Sequence, residues 1–455
     1  MKRFSPVLAL ALAGSLPAPV AAQDLAPPIR FESFTLDNGL RFLVHEDPSV
    51  PVVAVNVWYD VGSAHEPPGR SGFAHLFEHM LFQETENLGP GAIMELIPAA
   101  GGDFNGTTNQ DRTNYFEILP SNRLNLALWL EAERMARLRV TDENFQRERE
   151  VVKEERRMRI ENVPYADALW ITLDTLLQDW KPYKHPVIGS MEDLDAATTE
   201  DVLAFYRRFY VPNNATIAVA GDVTVAQVRA LAEEYFGWIP RGPEIDPLPE
   251  PSPTPRTDGE RRLVIEDRLA SLPVIAMGFN IPPHRHEDTH ALQVLAGIFS
   301  AGESSRLHQR LVRDEQAALQ VISTLDSRYG PGSFLFYAFP NQGVETDRLE
   351  ALIAEEIEKL QTDGVTEREL QKAKNQLRMS QIRQRQTAYS KSELLQHYRR
   401  LHGDPAEINV DLDRLMAVTA EQVREVARRY LTPSNRTVIT VVPPAPASGA
   451  GPETE

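Results

Sequence analysis

Residues 198–216 read TTEDVLAFYRRFYVPNNAT, and residues 419–437 read TAEQVREVARRYLTPSNRT. The two stretches keep one offset, 433 − 212 = 221 at the prolines. Glu200/Glu421, Val202/Val423, Arg207/Arg428, Arg208/Arg429 and Asn214/Asn435 stay in step. Each copy predicts a helix that stops at a proline turn, because proline lacks an amide hydrogen and disfavours helix at the residue before it. A strand rich in β-branched residues follows each turn: Thr216-Ile217-Ala218-Val219-Ala220 and Thr437-Val438-Ile439-Thr440-Val441-Val442. The repeat implies two homologous halves. Helices mixed with strands imply an α+β fold, each half a mainly antiparallel sheet with helices on one face. Between the halves, Pro243, Pro247, Pro249, Pro251, Pro253 and Pro255 punctuate a stretch without apolar periodicity, the mark of an extended linker. The expected units are 23–240, the linker 241–260, and 261–442.

Only the first half carries His75-Leu76-Phe77-Glu78-His79. Two imidazoles four residues apart lie one helical turn apart and reach one metal ion from the same face. Glu78 shares that face; at about 100° per residue the three side chains span an arc of about 100°. Phe73, Ala74, Leu76, Phe77, Met80, Leu81 and Phe82 fill the rest of the cylinder. A helix apolar on all sides but one is buried, and its polar stripe needs a partner. Backbone carbonyls for the histidines and an arginine for Glu78 would meet that need. So would Zn²⁺, with neutral imidazoles as ligands and the carboxylate between them as base for the attacking water. H-x-x-E-H is the inverted form of the H-E-x-x-H zinc pattern.

The chain has no cysteine, so zinc here is held by nitrogen and oxygen. A catalytic zinc takes three protein ligands and keeps one position open. Residues 145–159 read as a helix with Phe145, Val151, Val152 and Met158 as its apolar stripe. Glu148 and Glu155, seven apart and nearly eclipsed, fall within that stripe, whereas Glu150 and Glu154 point toward water. Two acids on a buried helix face need a cation. One of these two is the expected third ligand.

The chain resembles the pitrilysin/insulysin family of zinc metallopeptidases, and most of all its short-chain branch with mitochondrial processing peptidase and bacterial relatives. The resemblance spans nearly all of the chain after its leader. In that family a helix reading E-R-x-x-V-x-x-E follows H-x-x-E-H at nearly the spacing found here, where 155 − 79 = 76. It reads Glu148-Arg149-Glu150-Val151-Val152-Lys153-Glu154-Glu155 in this sequence. The resemblance implies His75, His79 and Glu155 as ligands of one Zn²⁺, Glu78 as general base, and Glu148 as a supporting acid. Leu36-Asp37-Asn38-Gly39-Leu40 with Val44 resembles the family's opening hairpin. Residues 105–115 resemble the loop and strand on which relatives hold substrate as an added strand, implying substrate contact at Asn105 and Thr107. His284, His286 and His290 follow Pro282-Pro283 where relatives begin a helix, and are read as decorating its first turn rather than binding metal. The region matching the zinc motif, residues 292–299 (LQVLAGIF), has no histidine pair, so the second half is no zinc site.

One departure bears on partners. Active relatives place an arginine and a tyrosine, seven apart, near the zinc from the second half of the fold. Arg313 matches and is implied to touch substrate, but Gln320 stands at the tyrosine position. An amide is a poorer and differently placed donor to a developing oxyanion than a phenol. Some short-chain members divide the zinc site and the arginine–tyrosine pair between two chains. The expected partners are therefore peptide substrates in a clamshell cavity and a second chain, either a copy of this one or a homologue lacking H-x-x-E-H. Degenerate relatives act as non-catalytic binding or assembly subunits. That class predicts an eroded motif, and His75, Glu78, His79 and Glu155 are all intact.

With 455 residues, 42% of them hydrophobic, the chain is long enough for substantial cores and two domains or more. Met1-Lys2-Arg3, an apolar run over 7–16 and Val20-Ala21-Ala22 before Gln23 predict a signal peptide over 1–22, cleaved after Ala22. The run is too short to span a bilayer, and no cysteine follows it as a lipid anchor. A mitochondrial presequence would instead be an arginine-rich amphipathic helix. The protein is thus expected to be periplasmic or secreted. Its formal charge is −18, or −20 without Lys2 and Arg3, which argues against nucleic acid and anionic membrane as partners. Neutral or basic peptides suit that surface better. Residues 443–455 read as a disordered tail.

Overall fold

The computed structural model describes residues 26–444. The leader read over 1–22 and residues 445–455 of the expected tail lie outside the described residues. The first half opens with strands β1 (Glu32–Thr35), β2 (Arg41–Glu46) and β3 (Val52–Tyr59), then helices α1 (Phe73–Met80) and α2 (Ala92–Ala99). Strands β4 (Asp103–Thr108) and β5 (Thr113–Pro120) precede α3 (Leu124–Arg137) and α4 (Asp142–Arg156). Next come α5 (Leu173–Leu177), α6 (Met191–Ala196), α7 (Thr199–Phe209), β6 (Ala215–Gly221) and α8 (Val225–Phe236). The second half runs β7 (Arg261–Glu266), β8 (Val274–Ile281), α9 (Thr289–Ser300), β9 (Ala318–Asp326) and β10 (Gly332–Pro340). It ends with α10 (Thr346–Asp363), α11 (Glu367–Gln384), α12 (Ala388–His402), α13 (Ile408–Ala417), α14 (Ala420–Tyr430) and β11 (Arg436–Val442).

The two sheets share one plan. Strand order is β1-β2-β6-β3-β5-β4 in the first and β7-β11-β8-β10-β9 in the second. In each, one parallel pair (β2 with β6, β7 with β11) sits in an otherwise antiparallel sheet. The α+β architecture in two similar halves is therefore the observed one.

The repeat owes its asparagines to a shared cap. Thr198 and Thr419 accept hydrogen bonds from Asp201 and Gln422 at the starts of α7 and α14. At the far ends, Asn214 Nδ2 donates to Phe209 O (2.8 Å) and Asn435 Nδ2 to Tyr430 O (2.7 Å), satisfying helix-terminal carbonyls the same way twice.

Each sheet buries one face against its own helices, as in the large core around Val55, Val57, Phe77, Leu128 and Phe205. The other face is covered by the opposite half, which the sequence reading did not foresee. Helix α12 of the second half lies on the first sheet, where Leu395 and Tyr398 pack with Leu43 and Ala218. In return, Ala168, Leu173 and Leu177 of the first half pack on Ala276, Ile439 and Val441 of the second sheet. Residues 241–260 carry no helix or strand. That segment is nonetheless anchored, since buried Arg256 donates from its backbone to Asn435 Oδ1 (2.9 Å) and from Nε to Asn280 Oδ1 (3.1 Å).

Candidate metal centre

Helix α1 is apolar on nearly every side, with Phe73, Ala74, Leu76, Phe77 and Met80 buried. No side chain at Gly72 caps it. Instead Glu66 accepts the backbone hydrogens of Gly72 and Ala74, both at 2.8 Å, and so satisfies the orphan donors of the first turn. Tyr115 on β5 donates to Phe77 O at 2.9 Å and ties the helix to the sheet. These contacts fix the stripe that carries His75, Glu78 and His79.

Helix α4 begins at a capping box between Thr141 and Asn144 and presents Glu148 and Glu155 to that stripe. Glu155 Oε2 stands 3.1 Å from His79 Nε2 and 3.5 Å from His75 Nε2. Ligand atoms about 2.0–2.1 Å from a tetrahedral ion lie about 3.4 Å from one another, close to the two distances from Glu155. Among the described residues, His75, His79 and Glu155 alone form a group of three such donors within 4.8 Å of one another. Glu148 Oε2 lies 4.0 Å from Nδ1 of His79, the ring nitrogen that faces away from Glu155. The outer oxygen of Glu155 is held by Arg159 at 2.9 Å. Glu150 and Glu154, read as facing water, are exposed.

The apolar stripe assigned to α4 needs correction. Phe145 and Val152 are buried, but Val151 and Met158 are 44% and 64% exposed. Val151 instead lines an open cavity of about 770 Å³ together with His75, Glu78, His79, Glu148 and Glu155. Helix α4 also ends at Arg156 and continues through 157–161 as a wider π-helical turn, so Met158 departs from the α-helical face.

The electrostatics favour a neutral imidazole at His75 and an available carboxylate at Glu78. Burial, with His79 beside it, lowers the His75 pKa to about 4. Burial opposes charge on His79 too, but the hydrogen bond and charge of Glu155 outweigh it and raise its pKa. Glu155 is lowered, burial being outweighed by His79 and His75. Glu78 is raised, because burial exceeds the opposing effects of the Thr108 hydroxyl and His79.

Strand β4, the free edge of the first sheet, forms one wall of the cavity through Phe104, Asn105, Gly106, Thr107 and Thr108. A Cβ at Gly106 would stand 3.1 Å from both Glu78 Cγ and Phe82 Cε2, so glycine lets the strand approach the carboxylate. Arg313 and Gln320 do not line this cavity; both are exposed, Arg313 on a π-helical turn over 308–314 and Gln320 on β9. Among the described residues, His284, His286 and His290 are not brought together as a group of three metal donors. His284 and His286 precede α9, and His290, in its first turn, pairs with Asp411 at 2.8 Å.

Residues 41–169 match the family described as "Insulinase (Peptidase family M16)", and residues 196–377 match "Peptidase M16 inactive domain". The zinc protease PqqE of Helicobacter pylori is 34% identical over 382 residues, covering 82% of this chain and 85% of that one. The chain belongs to peptidase family M16. A zinc protease of Mycobacterium leprae is 33% identical over 398 residues, 87% of this chain and 88% of its own. Among solved structures, a protease from Helicobacter pylori superposes with a TM-score of 0.85 at 30% identity, covering 91% of this M16 chain and all (100%) of its own. The periplasmic protease PqqL from Escherichia coli shares the fold, with a TM-score of 0.76 at 21% identity over 92% of this chain and 48% of its own. No helix of the described residues is long and apolar enough to cross a membrane.

Proposed function

We propose that this M16 chain is a zinc-dependent endopeptidase that hydrolyses peptides or unfolded segments held along β4. The observation that carries the reading is the convergence of His75 Nε2, His79 Nε2 and Glu155 Oε2 beside Glu78, in a cavity walled by a free sheet edge. Zinc, when bound by His75, His79 and Glu155, supplies a Lewis acid that polarises the scissile carbonyl and acidifies the attacking water. Glu78 takes the proton from that water and returns it to the leaving amine; its raised pKa brings it closer to the range in which a carboxylate does both. Glu148 orients His79 from behind. The open edge of β4 aligns the peptide by main-chain hydrogen bonds, with Asn105 and Thr107 beside it. The leader read in the sequence supports a periplasmic or secreted site of action.

The test is metal analysis and peptide cleavage on the mature chain. About one zinc per chain is expected, lost in His75→Ala, His79→Ala and Glu155→Ala and kept in Glu154→Ala. Full zinc in Glu155→Ala would overturn the ligand assignment.

A second reading has its own support. Because Arg313 and Gln320 lie outside the cavity, the donor for the oxyanion comes from another chain, a copy or a homologue without H-x-x-E-H. This chain would then be the zinc-bearing member of a pair. A non-catalytic binding subunit is less well supported, since the donor set is whole.

A further inference from the structure

Among the described residues the second half brings no group of three metal donors together, yet one of its side chains reaches the strands behind the site. Glu393 on α12 accepts from Asn56 Nδ2 (2.7 Å), Asn114 Nδ2 (2.9 Å) and Trp58 Nε1 (3.4 Å), all three of them buried in the first sheet. An asparagine amide has a donor end and an acceptor end. With its donor end clamped by Glu393, Asn114 points Oδ1 at the Thr107 hydroxyl, which donates to it at 2.5 Å. Arg112, stacked on Trp58 at 4.9 Å, closes the network by donating to Thr107 O at 2.7 Å.

Thr107 and Asn114 are register partners on β4 and β5, so their side chains share the sheet face that α12 covers. The opposite face of β4 carries Gly106, which abuts Glu78. Strand β4 is therefore held between two groups, Glu78 on one side and the Glu393 network on the other. We infer that Glu393 is a positioning residue through which the second half fixes the edge strand β4 against Glu78. An edge strand lacks a neighbour on one side and frays more readily than an interior one. The buried acceptor replaces part of that missing restraint. Its loss leaves two buried amides short of a partner, which makes local opening about tenfold or more easier.

Hydrogen exchange by mass spectrometry on the full chain tests this without relying on activity. Glu393→Ala is expected to raise exchange of the 103–114 peptides about tenfold or more while β6 and β8 keep wild-type protection and bound zinc is unchanged. Glu393→Gln, which keeps an oxygen acceptor, is expected to restore protection. In peptide cleavage, Glu393→Ala is expected to raise KM about tenfold with a smaller change in kcat. Unchanged exchange over 103–114 would overturn the proposal, as would an equal rise in β4, β6 and β8, which marks global destabilisation only. The activity arm rests on the peptidase reading. If wild-type protein binds no zinc and cleaves nothing, that reading fails, while the exchange result still decides the role of Glu393.

Discussion

On the proposed peptidase reading, Glu78 is the residue that separates a metal-binding site from an enzyme. Its neighbours His75 and His79 need only lone pairs to hold an ion, but hydrolysis also needs a group that takes and returns a proton. Glu78→Gln keeps shape and hydrogen-bonding length but cannot accept the proton. It is expected to retain zinc and thermal stability while peptide cleavage falls by about 10²–10⁴-fold. Cleavage of a quenched fluorescent peptide by this variant at the wild-type rate would remove Glu78 from the chemistry. The four motif residues were legible because they lie on two helices and follow helical spacing. Glu148 and Glu155 were placed on the right face of α4 for an incomplete reason, since Val151 and Met158 are exposed rather than core. What marked that face was the cavity, and the Glu148 and Glu155 carboxylates were the better signal.

At the level of elements, helix α12 packs on the rest of its own half through a histidine seam that no spacing rule reveals. His284 wedges between His397 and His402, with ring centroids 5.3 Å and 5.1 Å away. His397 and His402 are five residues apart on one helix, so they flank His284 rather than sharing a face with each other. Around them stand Asp411 of α13 and His290 of α9, with Arg112 near His397 and Glu407 and Arg414 near His402. Burial and the neighbouring imidazoles lower His284 to about 3 and His397 to about 4, and burial lowers His402 as well. All three are neutral in the folded chain at pH 7. The unfolded chain takes up protons below the ordinary histidine value of about 6.5, while the folded one resists until much lower pH. The packing of the seam is thus fully stabilising above about pH 6.5 and is lost progressively as the pH falls toward 4. For His284 the loss between pH 7 and 5 is about 1–2 kcal/mol. Thermal unfolding is expected to show a lower midpoint at pH 5 than at pH 7, with a shallower pH dependence in His284→Gln. An equal slope in both proteins would refute the seam's part in it. Asp411, held low despite burial by its bonds to His290 and Tyr398, titrates in a more acidic window and does not confound this range.

The whole molecule is two halves that complete each other. Each sheet would show an uncovered face without the other half's helix, apolar around Leu43 and Ala218 in the first and around Ala276, Ile439 and Val441 in the second. Ion pairs cross the same boundary, with Arg399 on Asp60 and Lys391 on Asp47. Asp111 also accepts from the Tyr329 amide at 3.0 Å. Calorimetry of the full chain is expected to give one cooperative transition, and residues 26–240 expressed alone are expected to bind a hydrophobic dye and aggregate. Two separated transitions would show that the exchange contributes little. If the oxyanion donor comes from another chain, this protein alone is weakly active. A homologue carrying arginine and tyrosine should then raise cleavage by about 10²–10³-fold, the usual cost of one missing donor. Full activity from a homogeneous preparation of this chain as a monomer would refute partner dependence.

The amino-acid sequence by itself determined the repeat at 221 residues, hence two α+β halves, because two stretches are alike, and the pairing of His75 and His79 with Glu78, because helical spacing is local. Helical spacing also narrowed the expected third ligand to Glu148 and Glu155, and the family resemblance implied Glu155. Only the tertiary structure decided that Glu155 Oε2 meets both imidazoles while Glu148 stands behind His79. Only it showed the reciprocal exchange of helices and brought Glu393 and the histidine seam to their places. Residues hundreds apart in sequence carry no shared period, so burial and close packing alone bring them together.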